Sequence, residues 1–175
     1  DAWQVVPAYL LIGVLGGALM ASFIAVIFDA YRPVYSWTIV GLAALVGFIK
    51  ISFWRSADRN KNRSTAATAT GLGGSSAKVS LLDSPTTSEN YIMREMGFVV
   101  ARKHSKKLRK ISGYSLFVIP ALTGMLTVTI EGKAAITLLI LLGVVAYSAG
   151  ALIERWLFFA EAKHVVTLYY GARSV

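Results

Sequence analysis

The chain has 175 residues, of which 55% are hydrophobic and 15% are charged, and its formal net charge is +9. With a mean hydropathy of +0.59 it is too apolar for an ordinary soluble domain of this length. It contains no cysteine. This excludes disulfides, thiolate-held iron–sulfur clusters and zinc–thiolate sites within the chain.

Four apolar runs account for the high hydropathy: 7–28, 34–54, 111–130 and 134–153. Three of them contain no charged residue, and the second contains only Lys50, close to its end. Each has about 20 residues, which is the helix length that crosses the hydrocarbon core of a membrane. We therefore expect an all-α integral membrane protein with four transmembrane helices. No basic region with a cleavage site precedes the first run, which argues against a signal peptide. Because the chain begins with Asp1, we expect it to be part of a longer protein.

The four helices are predicted to form two antiparallel hairpins. The first hairpin takes up residues 1–54 and turns at 29–33, where Pro33 interrupts the helix. The second takes up residues 111–153 and turns at 131–133. Such short turns force consecutive helices to lie side by side.

A basic, partly flexible loop joins the two predicted hairpins. Residues 55–90 are rich in Ser, Thr, Ala and Gly, which is typical of a flexible linker. Residues 91–110 regain helical periodicity and predict an amphipathic basic helix that runs into the third span. Residues 154–175 form a juxtamembrane C-terminal segment.

The charge of the loop predicts the orientation of the chain. Residues 55–111 contain twelve Lys or Arg and four Asp or Glu, so the positive-inside rule places this loop in the cytoplasm. Docking of a partner subunit to the basic stretch would permit the opposite orientation. For residues 102–110 two interpretations stay open, attraction to anionic lipid headgroups and docking of a protein.

Small residues recur along the first, second and fourth spans. In the first span they form a strip at every fourth position, namely Gly13, Gly17, Ala21 and Ala25. Such strips let helices approach closely, and we expect packing within the bundle rather than an oligomer interface. Pro120 is expected to kink the third span and to free a carbonyl near Leu116.

Few side chains in the spans offer redox or proton chemistry. The span centres contain no acid and no histidine, so we expect no proton relay across the membrane. His104 and His164 are both predicted at interfaces, which disfavours bis-histidine haem ligation. We expect no metal or haem bound by this chain and no self-contained active site.

The C-terminal segment combines charged and aromatic residues directly behind the last apolar run. If it is helical, Glu154 and Glu161 share a face and Arg155 lies on the adjacent one. The favoured interpretation is a helix end at the membrane surface with self-paired charges. The alternative is a contact surface for an extrinsic subunit, or one wall of a quinone headgroup site.

Two segments resemble one family of respiratory membrane subunits. Residues 96–109, MGFVVARKHSKKLR, followed by a span with Pro120, resemble the segment before the penultimate helix of dimethyl sulfoxide (DMSO) reductase anchor subunits. Residues 153–171, IERWLFFAEAKHVVTLYYG, resemble the C-terminal signature of that family. The matches stand in the family's order.

The resemblance implies the C-terminal half of an eight-helix anchor subunit in the bacterial inner (cytoplasmic) membrane. Such a subunit anchors a molybdopterin catalytic subunit and an iron–sulfur subunit, and it oxidises menaquinol in anaerobic respiration. The N-terminal four helices, which hold much of the quinol site in that family, have no counterpart here. The residues expected near the quinol or the iron–sulfur partner are Arg102, His104, Glu154, Arg155, Glu161 and His164.

Two other functions remain open. One is a structural membrane tether without quinol contact. The other is half of a small transporter, which the small-residue strips favour and the absence of charge in the span centres disfavours.

Overall fold

The computed structural model describes residues 4–59, 65–71, 79, 82–83, 99–162 and 168. The chain divides into two compact units: Asp1–Arg59 with Lys106–Trp156, and Asn60–Ser105 with Leu157–Val175. The regular structure of the described residues is helical.

Four helical segments are long and apolar enough to cross a membrane, which confirms the predicted all-α membrane architecture. They are α1 (Val5–Ile27), α2 (Pro33–Arg59), the third span (Ser105–Thr129) and α7 (Lys133–Glu161). The third span comprises α5 (Ser105–Gly113), a π-helical turn (Tyr114–Val118) and α6 (Ile119–Thr129). The shorter helices are α3 (Ala66–Thr70) and α4 (Val99–Lys103).

The π-helical turn lies directly before Pro120, where the sequence predicts a kink. The backbone N–H of Ile119 donates to the carbonyl of Tyr114, five residues earlier. Pro120 has no N–H to donate, so the next hydrogen bond of the regular helix is missing. The wide turn accommodates this loss, and such turns occur frequently at functional sites.

The first unit is a bundle of four spans with a continuous apolar core. α2 packs against both α1 and the third span. Leu15 and Leu19 of α1, Ile39 and Val46 of α2, and Leu116 of the π turn are all buried in this core. Because lipid is as apolar as these side chains, the close fit of the helices stabilises the bundle more than the exclusion of water does.

Both hairpin turns lie at the same end of the bundle. Lys133 Nζ is 2.7 Å from Asp29 Oδ1, and it also donates a hydrogen bond of 3.2 Å to the carbonyl of Ile27. The turn between α1 and α2 is therefore connected to the turn between the third span and α7. This arrangement agrees with the predicted pair of antiparallel hairpins.

Three hydroxyl groups hydrogen-bond to each other near the turns. Tyr31 Oη donates to Thr127 Oγ1 at 3.0 Å and shares a hydrogen bond of 2.5 Å with Ser36 Oγ. Ser36 Oγ and Thr127 Oγ1 are 2.8 Å apart and share a third hydrogen bond. The group ties the start of α2 to the end of α6.

In the middle of the bundle, buried hydroxyls are satisfied by backbone carbonyls. Ser22 Oγ donates to Ala18 at 2.6 Å, and Thr123 Oγ1 donates to Pro120 at 3.1 Å. Tyr147 Oη donates to the carbonyl of Ile12 at 2.6 Å, which joins α7 to α1. The central part of the first unit is otherwise apolar among its described buried residues.

Three of the four residues in the small-residue strip of α1 face away from the bundle, so the expectation that the strip packs inside is wrong for them, whereas Ala25 is buried. Gly13, Gly17 and Ala21 are exposed, and a Cβ atom on either glycine would meet no described atom within 4 Å. Gly16 packs instead, against the ring of Tyr147. The hydroxyl of this tyrosine also donates to the carbonyl of Ile12, so Gly16 lies at the contact between α1 and α7.

Two segments differ from the lengths that the sequence predicts. The basic stretch forms α4 and α5 with a break at His104, whereas a single helix was expected over 91–110, of which 91–98 lie outside the described residues. α7 continues without interruption to Glu161, although the fourth span was expected to end at 153. Glu154 therefore lies within a transmembrane helix.

Candidate functional site

A buried ion pair joins α2 to α7 at the end of the bundle opposite the turns. Lys50 Nζ contacts Glu154 Oε1, and the two side chains are 2% and 3% exposed. Charged side chains inside membrane segments are costly, and they commonly mark functional positions. The geometry of the pair compensates part of this cost, because each charge has an opposite charge in direct contact.

Helical periodicity places both charges on the inner faces of their helices. The buried positions of α2 are Ser36, Ile39, Ala43, Val46, Gly47 and Lys50, at steps of three or four residues. On α7 the buried positions Ile140, Gly143, Val144 and Gly150 lead to Glu154 with the same period. Lys50 is the last buried position of α2, whereas Glu154 is followed on α7 by buried Leu157 and Ala160. The two inward charges have opposite sign.

Three aromatic rings surround the ammonium group of Lys50. Its Nζ lies 5.2 Å from the ring centroid of Tyr9, 4.8 Å from that of Phe53 and 5.9 Å from that of Trp54. These distances permit cation–π attraction, which is strongest where water is excluded. The rings therefore replace part of the hydration that Lys50 loses on burial.

Tyr9 connects the ion pair to the outside of the bundle. Its hydroxyl donates to Glu154 Oε1 at 3.3 Å, while the guanidinium carbon of Arg155 lies 4.5 Å from the centroid of its ring. Tyr9 is half-buried and Arg155 is exposed. We call Tyr9, Lys50, Glu154 and Arg155 the charged cluster.

The charged cluster combines groups that can bind a polar headgroup and move a proton. A tyrosine hydroxyl both donates and accepts hydrogen bonds, so Tyr9 can pass a proton between a ligand and the Glu154 carboxylate. The exposed guanidinium of Arg155 offers N–H donors to a carbonyl or anionic oxygen. No group of three or more His, Cys, Asp or Glu in the described residues has the arrangement of a metal site.

Comparison with known proteins shows similarity to a sulfite dehydrogenase subunit of Allochromatium vinosum. The two sequences are 32% identical over 171 residues, which is 94% of this chain and 49% of that protein. The chain thus spans about half the length of this relative. No family model and no solved structure matches the chain.

The six predicted site residues do not all lie in the same part of the structure. Glu154 and Arg155 lie in the first unit, in the charged cluster. Arg102, His104 and Glu161 lie in the second unit, and His164 is outside the described residues. His104 is exposed at the break between α4 and α5, and Glu161 is half-buried at the end of α7.

Arg102 binds the backbone at the end of α7. Its Nε donates to the carbonyl of Ala160 at 3.0 Å, and its Nη2 donates to the carbonyl of Ala162 at 3.0 Å. The last carbonyls of a helix lack partners within the helix, so a cation there satisfies them and opposes the negative end of the helix dipole. The described contacts of Arg102 are therefore those of a helix cap.

Two residues of the charged cluster, Tyr9 and Lys50, were not among the predicted site residues. Lys50 is the single charge in the four apolar runs, and a lone charge in a span is itself a functional signal. Tyr9 carries no such signal, since tyrosine near a span end is also typical of the interfacial aromatic belt. Its role depends on contacts with α7, which only the fold reveals.

Proposed function

We propose that this chain belongs to the membrane subunit of an oxidoreductase complex that exchanges electrons with membrane quinones. The observation that carries the proposal is the similarity to the sulfite dehydrogenase subunit along 94% of the chain. The four spans support it, because a quinone dissolves in the lipid that these helices contact.

In this proposal the charged cluster handles the protons of the quinone reaction. Oxidation of a quinol releases two electrons and two protons, and reduction of a quinone takes up the same number. Tyr9 and Arg155 form the accessible side of the cluster and would hydrogen-bond the quinone oxygens. Glu154 lies behind Tyr9 and would exchange the proton with it.

The electrons would pass through partner subunits. The 175 residues contain no cysteine to hold an iron–sulfur cluster, so such a cluster would lie outside them. The resemblance to DMSO reductase anchors implies an iron–sulfur subunit and a molybdopterin catalytic subunit as those partners. Arg102, His104, Glu161 and His164 stay candidates for contact with the iron–sulfur subunit.

Two directions of electron flow are possible for such a complex. A sulfite dehydrogenase removes two electrons from sulfite, so its membrane subunit would reduce a quinone. The resemblance to DMSO reductase anchors implies the reverse, oxidation of menaquinol to supply a reductase. The complex purified from its native membrane distinguishes them: we would measure quinone reduction by sulfite and DMSO reduction by menaquinol.

The role of the charged cluster is tested by Tyr9→Phe, with Tyr147→Phe as the matched control. Both remove a hydroxyl from a tyrosine in a span, but the Tyr147 hydroxyl donates to a backbone carbonyl and not to an acid. We expect Tyr9→Phe to lower quinone-linked turnover by about 100-fold, typical of a lost proton-transfer group.

Two further measurements separate quinone chemistry from assembly. Turnover with a soluble artificial electron carrier should be unchanged in Tyr9→Phe, because this reaction bypasses the membrane subunit. Recovery of the partner subunits on purification should also be unchanged. Full quinone-linked turnover in Tyr9→Phe would favour a structural tether over a quinone site.

A further inference from the structure

A narrow apolar groove runs along the outside of the first unit between α2 and the third span. Its volume is about 290 Å³. Ile51 and Trp54 of α2 form one wall, and Phe117 and Val118 of the π turn belong to the other. The groove thus lies in the part of the molecule that the spans place in the membrane.

The local backbone of the third span creates this groove. Gly113 has no side chain, and a Cβ atom there would come within 3.8 Å of the indole of Trp54. The π turn begins at the next residue and has a wider backbone than an α-helix. Together, the missing side chain and the wide turn leave a space along the two helices.

Positive charge lines the part of the groove that α5 contributes, one turn before Gly113. Arg109 is held in place by two hydrogen bonds from its Nη1 to Asp58, of 2.9 and 3.0 Å. This contact compensates the charge of Arg109. The charge of Lys110 has no such partner, since no described acid forms an ion pair with this exposed lysine.

We propose that this groove binds one anionic phospholipid. One acyl chain lies against Ile51, Phe117 and Val118, and the phosphate group contacts Lys110 beside Arg109. Basic pockets at the ends of transmembrane helices bind anionic headgroups in this way, because lysine and arginine donate charge-assisted hydrogen bonds to phosphate. Tyr114, which is 61% exposed, lies at the same end, where aromatic side chains meet headgroups.

The dimensions and the charge of the groove favour a lipid over other occupants. Pockets that enclose a whole drug-sized ligand measure about 300–1,000 Å³, so the groove is at the lower limit for a bulky ring system. An acyl chain is slender and needs no polar partner along the apolar walls. A zwitterionic lipid would bring a second cation next to Lys110, whereas an anionic lipid would not.

Trp54 gives this site a link to the charged cluster. The same indole that lines the groove lies 5.9 Å from the ammonium group of Lys50. A bound acyl chain would cover the outer side of this ring and keep water from reaching the buried ion pair through the groove.

The test is a titration of the purified protein, with all copurifying subunits, by phosphatidylglycerol, followed by native mass spectrometry. Lys110→Gln should weaken the binding of the first phosphatidylglycerol by about tenfold, as expected for one lost charge-assisted hydrogen bond. Lys107→Gln is the matched control, since it removes the same charge from the same helix at a position outside the groove. Its effect should be within about twofold of the unaltered protein.

A second pair of variants tests the apolar part of the groove. Val118→Trp places a large ring in the groove, while Val128→Trp makes the same change outside the groove, where the third span ends. The two valines are 41% and 38% exposed, so neither change overfills the core. Only Val118→Trp should lower phosphatidylglycerol binding.

Three results would overturn the proposal. Equal losses in Lys110→Gln and Lys107→Gln would show a diffuse attraction of lipid to the basic surface. Equal binding of phosphatidylcholine and phosphatidylglycerol would show that the phosphate is not recognised through its charge. Unchanged binding in both Lys110→Gln and Val118→Trp would show that phosphatidylglycerol binds at another place on the protein.

Discussion

Gly150 of α7 lies against the backbone of Leu116, so that a Cβ atom added to Gly150 would be 2.7 Å from the Leu116 amide nitrogen. Next to this contact, Ser112 Oγ donates a hydrogen bond of 3.2 Å to the carbonyl of Gly150. The fourth span thus crosses the third at the π turn at a distance that only glycine permits. Backbone atoms cannot move aside as a flexible side chain can.

Replacement of Gly150 by alanine should therefore separate these two helices. We expect Gly150→Ala to lower the free energy of unfolding by about 1–3 kcal/mol, the usual cost of overpacking. Gly13→Ala is the matched control on α1, where the new methyl group meets no described atom within 4 Å. The control should be neutral or slightly stabilising, because alanine favours the helix. Equal thermal stability of the two variants in detergent would contradict the close contact.

The ion pair between Lys50 and Glu154 should show strong non-additivity. Lys50→Met or Glu154→Leu alone leaves one unpaired charge in the bundle, and we expect each to cost about 3–5 kcal/mol. The double variant removes both charges and should recover most of that loss. Unfolding by denaturant in detergent micelles, compared across the four proteins of the cycle, measures the coupling.

The pair between Asp29 and Lys133 provides the control for this cycle. Both side chains are mostly exposed, at 76% and 52%, so water screens their attraction. Asp29→Asn and Lys133→Gln should each change stability by no more than about 1 kcal/mol. Asparagine also suits the positive φ of 55° at Asp29, which avoids backbone strain in the control. A coupling energy for Lys50 and Glu154 as small as that of this exposed pair would refute its burial.

The hydrogen bonds among Tyr31, Ser36 and Thr127 near the turns predict different outcomes for substitutions of two threonines of α6. Thr127→Val removes the partner of both Tyr31 and Ser36, and we expect a loss of about 1 kcal/mol in stability. Thr129→Val is the matched control. The hydroxyl of Thr129, like that of Thr127, donates to the carbonyl three residues earlier, but Thr129 is exposed. It should change stability by less than about 0.5 kcal/mol. Similar losses in both variants would show that the shared hydroxyl contacts contribute nothing.

The sequence was sufficient to predict the four spans and their two hairpins, because length and hydropathy alone determine what can cross a membrane. It also named Glu154 and Arg155 among six candidate residues, and the structure places these two in the charged cluster, while their role stays a prediction. The position of Glu154 was harder to predict, since the apolar run ends at 153 while the helix continues to Glu161. A charged residue directly after an apolar run usually indicates the end of a membrane helix. Only the contact with buried Lys50 shows that Glu154 lies inside the bundle.

The rest depended on which helix faces meet. The spacing of Gly13 and Gly17 is the usual pattern of helix contact, yet Gly16 forms the contact because Tyr147 lies opposite it. Likewise, nothing in residues 33–59 alone pairs Lys50 with an acid that lies more than 100 positions away. Such contacts follow from the relative rotation of helices, and hydropathy does not determine rotation when lipid surrounds the bundle.

The three hydrogen-bonded hydroxyls of Tyr31, Ser36 and Thr127 lie near the turns, and the charged cluster lies at the opposite end of the first unit. The described residues between them form no continuous path for a proton. In this central part, the hydroxyls of Ser22 and Thr123 donate to carbonyls of their own helices. Among the described contacts, they do not connect the two ends of the bundle. A proton bound at Glu154 would therefore exchange with the aqueous phase at the charged cluster's end of the bundle and not with the one at the turns.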